Sequence, residues 1–533
     1  MNNDIQLIID AIKRQEHHNA ENLCWAALKK QPKSSQLHKW LGISLVQQKK
    51  YEGSVEAFLK SLPEMKNDFD VINNLAFAYR HLEDYENAIP YLDKADLLQP
   101  GHYSVAFNRA SIYFNLKKYD MALEETLKCY NFLKNAPVGV ATNPKNLRNL
   151  YVEILFANNS FDQAIAIMIK DLEGNHEEFD AHLFYNLSNT APEKIDDTIK
   201  SRAKKLASNE KEFFMKRAAA YLGLGRLSEK EKNYKEAFEN YATANKIKAE
   251  KLRYKPFHAQ EIIKKNIMHF NKHYIEETYK NFSENYMKKG ANVIFVVGNP
   301  RSGTTLVESI LGSSEDITSA GELTVFGRLI PEDLNDITPE SLEKIGDEYL
   351  RILKNFDVQN KYKYIIDKMP SNIYHVGLIK LCLPSAKIIC LNRRPLDNAW
   401  SIFTQYYLEN IPYSSSLFNI GLALANVDAL KRIWASHDQG KNFLLVDYEK
   451  MVTEPQKSTK EIYDFVEIDA KYDEEKRKKF SSRTASKTQI KKDIYTSSVR
   501  RSKDYDSYLE EFEKSYTNQN QYWEKYLRDQ KII

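Results

Sequence analysis

Only 17 of 533 residues are glycine and 16 are proline. Few helix breakers in so long a chain predict long helices. The four cysteines are Cys24, Cys129, Cys382 and Cys390, with no CxxC pair. A disulfide framework or a zinc site is therefore not expected, and a reducing cytoplasm fits best. No window approaches the ~18 consecutive apolar residues of a membrane span. The opening MNNDIQLIIDAIKRQEHH meets charged residues too soon for a secretory signal. Neither sign of charge prevails: 77 Lys+Arg against 73 Asp+Glu leave a net +4, too weak for general nucleic-acid or membrane binding. What is present is 42% hydrophobic, 28% charged and 12% aromatic, an ordinary soluble profile rather than a disordered one. The length implies more than one domain and ample core.

The first half repeats with a spacing of 34. One column holds Ala20, Ser54, Ala88 and Ala122; another holds Ala27, Ser61, Ala95 and Cys129. A third holds His17, Tyr51, Tyr85 and Tyr119, and a fourth Gly42, Ala76 and Ala110. Small residues at fixed positions let paired helices approach closely, and aromatic residues fill the space between neighbours. Pro32 and Pro100 share a phase and stop a helix before the next begins. This pattern resembles the tetratricopeptide repeat over about residues 1–135. The register then slips by eight residues at Phe161 and Ala164. It returns at Leu224, Gly225, Tyr234, Ala237, Tyr241 and Ala244. A helical solenoid is thus expected over 1–250, followed by a helical junction over 251–290. His269 and His273, four apart in that junction, have no third ligand in sequence, so an exposed helix face is favoured over a metal pair.

The second half opens with ANVIFVVGNPRSGTTLVESILGSS. Val293–Val297 is a β-branched and aromatic run, as in a buried parallel strand. A glycine-bearing turn and a helical pattern follow. Strand, turn and helix form the geometry that holds a phosphate, with backbone N–H groups of Ser302 to Thr305 converging at a helix N-terminus. Gly298 and Gly303 have Walker A separation, but Thr304 stands where the lysine belongs. A kinase or NTPase would need that lysine.

GNPRSGTTLVESIL resembles the 5′-phosphosulfate loop of sulfotransferases that use 3′-phosphoadenosine 5′-phosphosulfate (PAPS). The resemblance gives Arg301, Ser302, Gly303, Thr304 and Thr305 the role of binding the 5′ end of the donor. SAKIICLNRRPLDNAWSIF resembles the family's 3′-phosphate motif, with Arg393 after a strand and Ser401 eight residues later on a helix. Glu322 lies 21 residues after Arg301, and Lys368 lies 25 before Arg393. Both intervals resemble the tyrosylprotein sulfotransferase branch. There a glutamate is the catalytic base and this lysine faces the leaving group, and Arg301 joins them in catalysis. KKDIYTSSVRRSKDY resembles the loop that closes over the nucleotide in repeat-containing bacterial sulfotransferases, and implies cofactor contacts from Ser497, Ser498 and Arg501. The family pattern has glycine and tryptophan where this chain has Arg500 and Ser502. Val325 stands where the tyrosylprotein branch has a peptide-binding arginine.

The expected architecture is an α-helical repeat solenoid followed by an α/β, P-loop-like sulfotransferase domain over 291–533. Its parallel strands are expected near 293–297, 363–367, 387–391 and 442–447. The resemblance implies PAPS as donor with no metal, and a protein-tyrosine or glycan acceptor recruited by the solenoid. The alternative is a repeat scaffold whose sulfotransferase-like domain turns over weakly, suggested by the altered 499–502 stretch.

Overall fold

A computed structural model describes residues 2–135, 143–174, 179–407, 411–438, 440–480, 493–494, 496 and 498–532. It divides into two compact units, Met1–Asn158 with Arg351–Asn355, and Asn159–Leu350 with Phe356–Ile533.

The first unit is a run of paired helices. Ser35–Gln47 and Tyr51–Met65 make one pair, and Phe69–His81 and Tyr85–Leu98 the next. Every member of the two small-residue columns is buried, as are Ala76 and Ala110. Gly42 shows why: a Cβ there would stand 2.6 Å from the Phe58 ring of the partner helix. The turn inside each pair has its own signature. Gln15, Lys49, Glu83 and Lys117, again 34 apart, all adopt φ between 59 and 61°. Around Lys49, the N–H of Lys50 reaches the carbonyl of Leu45 (2.9 Å) and that of Lys49 reaches Val46 (3.0 Å). This is the Schellman ending, which satisfies the last carbonyls of a helix through one left-handed residue. Asn159 and Lys232 repeat the conformation at φ 60 and 61°, two residues before Phe161 and Tyr234. The slipped repeat and the late repeat therefore turn as the first four do.

The second unit contains that late pair, Phe214–Lys230 and Tyr234–Lys251, with Gly225 against the ring of Tyr241. The pair packs on the domain that follows it: Asn245 donates to the carbonyl of Phe403 (2.8 Å). In the junction, His269 packs edge-on to Phe270, centroids 4.8 Å apart. Among the described residues no group of His, Cys, Asp or Glu is placed to hold a metal, and no helix is long and apolar enough to cross a membrane.

The sheet has five strands: β1 (Val293–Gly298), β2 (Ile317–Gly321), β3 (Tyr364–Asp367), β4 (Lys387–Asn392) and β5 (Phe443–Asp447). Their order is β2-β3-β1-β4-β5, and every pairing is parallel. All of β1 is buried, as expected for a central strand covered on both faces. Four strands fall where the apolar runs predict them. β2 does not appear among the expectations, because ITSAG is small and partly polar rather than an apolar run. Its placement matters. Glu322 leaves the end of β2, Lys368 the end of β3, the GNPRSGTT turn the end of β1 and Arg393 the end of β4. Four adjacent strands thus deliver the expected site residues to one edge, the carboxyl edge where open α/β sheets bind ligands.

Candidate functional site

The turn after β1 is built for close approach. Gly298 and Gly303 have φ of 141 and 108°, and Arg301 between them has 63°. At Gly303 a Cβ would lie 2.4 Å from the ring of Tyr448, so only glycine fits there. The helix Thr304–Leu311 begins immediately afterwards, aiming its N-terminus at the turn. Ser302, Thr304 and Thr305 are buried. The Ser302 hydroxyl has no hydrogen-bond partner among the described residues.

The second expected motif meets this turn directly. Arg393 Nη1 donates to the carbonyl of Arg301 (2.6 Å), and Arg301 Nε donates to Ser401 Oγ (3.2 Å). Asn398, on the helix Pro395–Phe403 that carries Ser401, donates to the carbonyl of Pro300 (2.7 Å). Arg393 lies 4.6 Å from the centre of the Tyr448 ring, and its Nε is buried without a partner among the described residues. Burial holds both guanidinium groups below their ordinary range, and at Arg301 the charge of Arg393 adds to the effect. Two desolvated cations side by side favour an anion between them.

Lys368 is buried and pairs with Glu322; Glu308 lies 3.9 Å away. The neighbouring Asp367 is engaged elsewhere, accepting from Tyr349 (3.0 Å) and Asn372 (3.1 Å). Lys368 therefore serves the strand edge, not its sequence neighbour. The Glu322 side chain is 44% exposed, so a hydroxyl from solution can reach it. Half-buried Tyr407, its hydroxyl covered, lies near both Arg301 and Glu322; burial raises its phenol, which Arg301 opposes.

Of the third expected segment, Ser497 lies outside the described residues. Ser498 is at the site: its carbonyl accepts from Arg393 Nη2 (3.0 Å), and its hydroxyl meets Tyr448 Oη (2.6 Å). Arg500 stands where the family pattern has glycine, and it adopts the left-handed backbone, φ 60°, ψ 30°. The N–H groups of Arg500 (2.8 Å) and Ser502 (2.9 Å) both donate to the carboxylate of Asp397. Arg501 between them reaches Glu229 rather than Arg393 or Ser401.

Sequence reasoning missed Tyr448, Glu308 and Glu229. Tyr448 follows β5 and could have been suspected from its strand-end position. Glu229 sits among repeat columns, where no local signal marks it.

Residues 293–474 match the family model described as the sulfotransferase family. Residues 5–68 and 69–102 match tetratricopeptide repeat models. A protein of Aquifex aeolicus (strain VF5), described as uncharacterized, is 31% identical over 318 residues, covering 55% of this chain and 40% of that relative. The chain thus spans about two fifths of the length of that curated relative. Among solved structures, the sulfotransferase domain from the Synechococcus PCC 7002 olefin synthase is 20% identical, with 39% of this chain and 85% of that one covered and a TM-score of 0.30. A thermophilic TPR protein of Thermus thermophilus is 19% identical, with 36% and 97% covered and a TM-score of 0.29. The chain thus joins a stretch that fits tetratricopeptide repeat models to one that fits the sulfotransferase family model.

Proposed function

We propose that this chain transfers a sulfuryl group from PAPS to an acceptor hydroxyl, with protein tyrosine or a glycan as the acceptor class. The observation that carries this is the knit of two motifs. Arg393 grips the carbonyl of Arg301 while Arg301 grips Ser401, so the turn assigned to the 5′-phosphate and the corner assigned to the 3′-phosphate touch directly. The residues suit a bis-phosphorylated nucleotide. Ser302 Oγ and Arg393 Nε are buried donors still unpaired among the described residues, and such groups are costly unless a ligand engages them. Ser302, Gly303, Thr304 and Thr305 would hold the 5′-phosphate, and Arg393, Ser401, Ser498 and Arg501 the 3′-phosphate.

PAPS supplies the sulfuryl group and a phosphate leaving group. Glu322, partly exposed at the end of β2, accepts the proton of the attacking hydroxyl. Lys368 and Arg301 offset the negative charge that develops on the bridging and sulfuryl oxygens. One such donor contributes about 3–4 kcal/mol, roughly 10²–10³ in rate. Positioning and charge carry the catalysis, as in phosphoryl transfer. The positive charge is assigned to side chains, and no metal is invoked.

The proposed division of labour assigns 1–250 to the solenoid that presents the acceptor, 251–290 to a junction and 291–533 to transfer. The alternative of a weak scaffold rests on the altered 499–502 stretch. Arg500 in the left-handed conformation that glycine favours supports transfer instead. Four free, buried cysteines suit a reducing, cytoplasmic setting.

The test incubates the protein with radiolabelled PAPS and a lysate, and follows label into protein, glycan or small molecules. Calorimetry with the desulfated product, 3′-phosphoadenosine 5′-phosphate, runs beside it. Tight nucleotide binding without label transfer returns the scaffold; no binding at all removes the proposal.

A further inference from the structure

Glu229 belongs to the helix Phe214–Lys230, 272 residues before Arg501 in sequence. Its carboxylate collects three side chains. Arg501 Nη2 donates to both of its oxygens at 3.1 Å, Arg226 Nη1 donates at 3.0 Å and Tyr241 Oη at 2.9 Å. Arg226 also donates through Nη2 to the carbonyl (3.0 Å) and hydroxyl (3.2 Å) of Thr404, directly after the helix that carries Ser401. Asp397 on that helix holds the backbone on either side of Arg501. Arg501 is therefore fixed at its backbone by Asp397 and at its tip by Glu229. Among the described residues Nη2 is the only donor of Arg501 engaged in a hydrogen bond, so its other N–H groups remain for a ligand. Arg393 donates through Nη2 to the carbonyl of Ser498 (3.0 Å), three residues before Arg501, and feels the charge of Arg501. Glu229 is one carboxylate against Arg226 and Arg501, while Asp397 is matched by Arg394 (3.5 Å).

We propose that Glu229, from the late repeat pair, is a positioning residue that holds Arg501 toward the 3′-phosphate of the donor nucleotide. The proposal rests on the function argued above. It makes the late repeat pair a structural part of the nucleotide site, whatever acceptor the solenoid presents. A long arginine loses several rotamers when it binds a phosphate, and prior anchoring of its tip lowers that loss.

The test measures, by calorimetry on the full chain, dissociation constants for 3′-phosphoadenosine 5′-phosphate and for adenosine 5′-phosphate, which lacks the 3′-phosphate. Their ratio is the preference for the 3′-phosphate. Wild type and Glu229→Gln, Glu229→Asp, Arg501→Ala and the double variant Glu229→Gln/Arg501→Ala are compared. The expected preference falls roughly tenfold in Arg501→Ala and by a similar factor in Glu229→Gln, the scale of one charged hydrogen bond. The double variant should match Arg501→Ala alone, because both act through one contact. Glu229→Asp keeps the charge but withdraws it by one methylene, and should lose the preference while remaining folded if the glutamine variant is not. Affinity for adenosine 5′-phosphate should stay constant throughout, which a purely structural role would not predict. An unchanged preference in both Glu229 variants overturns the proposal. So does a rise, which would mean that Glu229 competes with the nucleotide for Arg501. Absence of any 3′-phosphate preference in wild type sinks the proposed function itself, a result separable from the others.

Discussion

Replacing Gly303 by alanine tests whether the turn after β1 is limited by space or only by backbone conformation. The residue has φ 108°, and an added Cβ would stand 2.4 Å from one ring carbon of Tyr448 and 3.1 Å from another. Gly440 offers a control, with φ 81° and nothing within 4 Å of the same added atom. At Gly440 alanine should cost only the backbone term, about 1–2 kcal/mol. At Gly303 it should cost that term and also displace Tyr448. That ring cannot move freely, because it lies under Arg393 and its hydroxyl meets Ser498. Overpacking of this kind adds about 1–3 kcal/mol, so Gly303→Ala should be destabilising by about 2–5 kcal/mol in denaturant unfolding. Calorimetry with 3′-phosphoadenosine 5′-phosphate should also show weakened binding, since Arg393 loses its ring support. Trimming the ring in Gly303→Ala/Tyr448→Ala should recover part of the stability but not the affinity. If Gly303→Ala costs no more than Gly440→Ala, the close approach of Tyr448 is not what limits the turn, and the reasoning fails.

Three further outcomes are expected. Glu322→Ala and Lys368→Ala should abolish label transfer while calorimetric affinity for 3′-phosphoadenosine 5′-phosphate stays near wild type; normal turnover in both would remove the assigned chemistry. Arg500→Gly should leave stability unchanged or raise it by up to about 1 kcal/mol, whereas Arg500→Val at φ 60° should lower it by about 1–2 kcal/mol, as read from unfolding midpoints. The pH dependence of folding should change in Glu229→Gln. Burial alone would raise this carboxyl, but Arg501 and Arg226 hold it at about 2, against an ordinary 4.5. Its folded value is depressed, so its contribution is present above about 4.5 and disappears as the pH falls toward 2. The gap in thermal midpoint between wild type and Glu229→Gln should therefore narrow from pH 7 to pH 3.

Much of this was legible because it depends on short-range pattern. A helix pair needs small residues where its axes approach, so the 34-residue columns are visible as composition at fixed phase. A buried parallel strand needs an unbroken apolar run, and VIFVV and IICL supply one. β2 escaped because a strand of Ile, Thr, Ser, Ala and Gly is held by its pairing with β3 rather than by hydrophobicity. Arg301, Arg393 and Ser401 could be paired in advance because the resemblance assigns their motifs to opposite ends of one ligand, and such motifs must converge. Tyr448 stands at a strand end, but its role comes from the space above Gly303, which no chain neighbour records.

From the order of its amino acids alone, this protein determines a repeat period and a glycine turn between a strand and a helix, because each follows from pattern over a few residues. The tertiary structure alone decides that Lys368 turns to Glu322 rather than to Asp367, and that Glu229 meets Arg501. Those pairings depend on which strand ends lie side by side and on which helix face is pressed against them. Chain neighbours carry no record of that, because burial makes a charge seek the nearest partner in space.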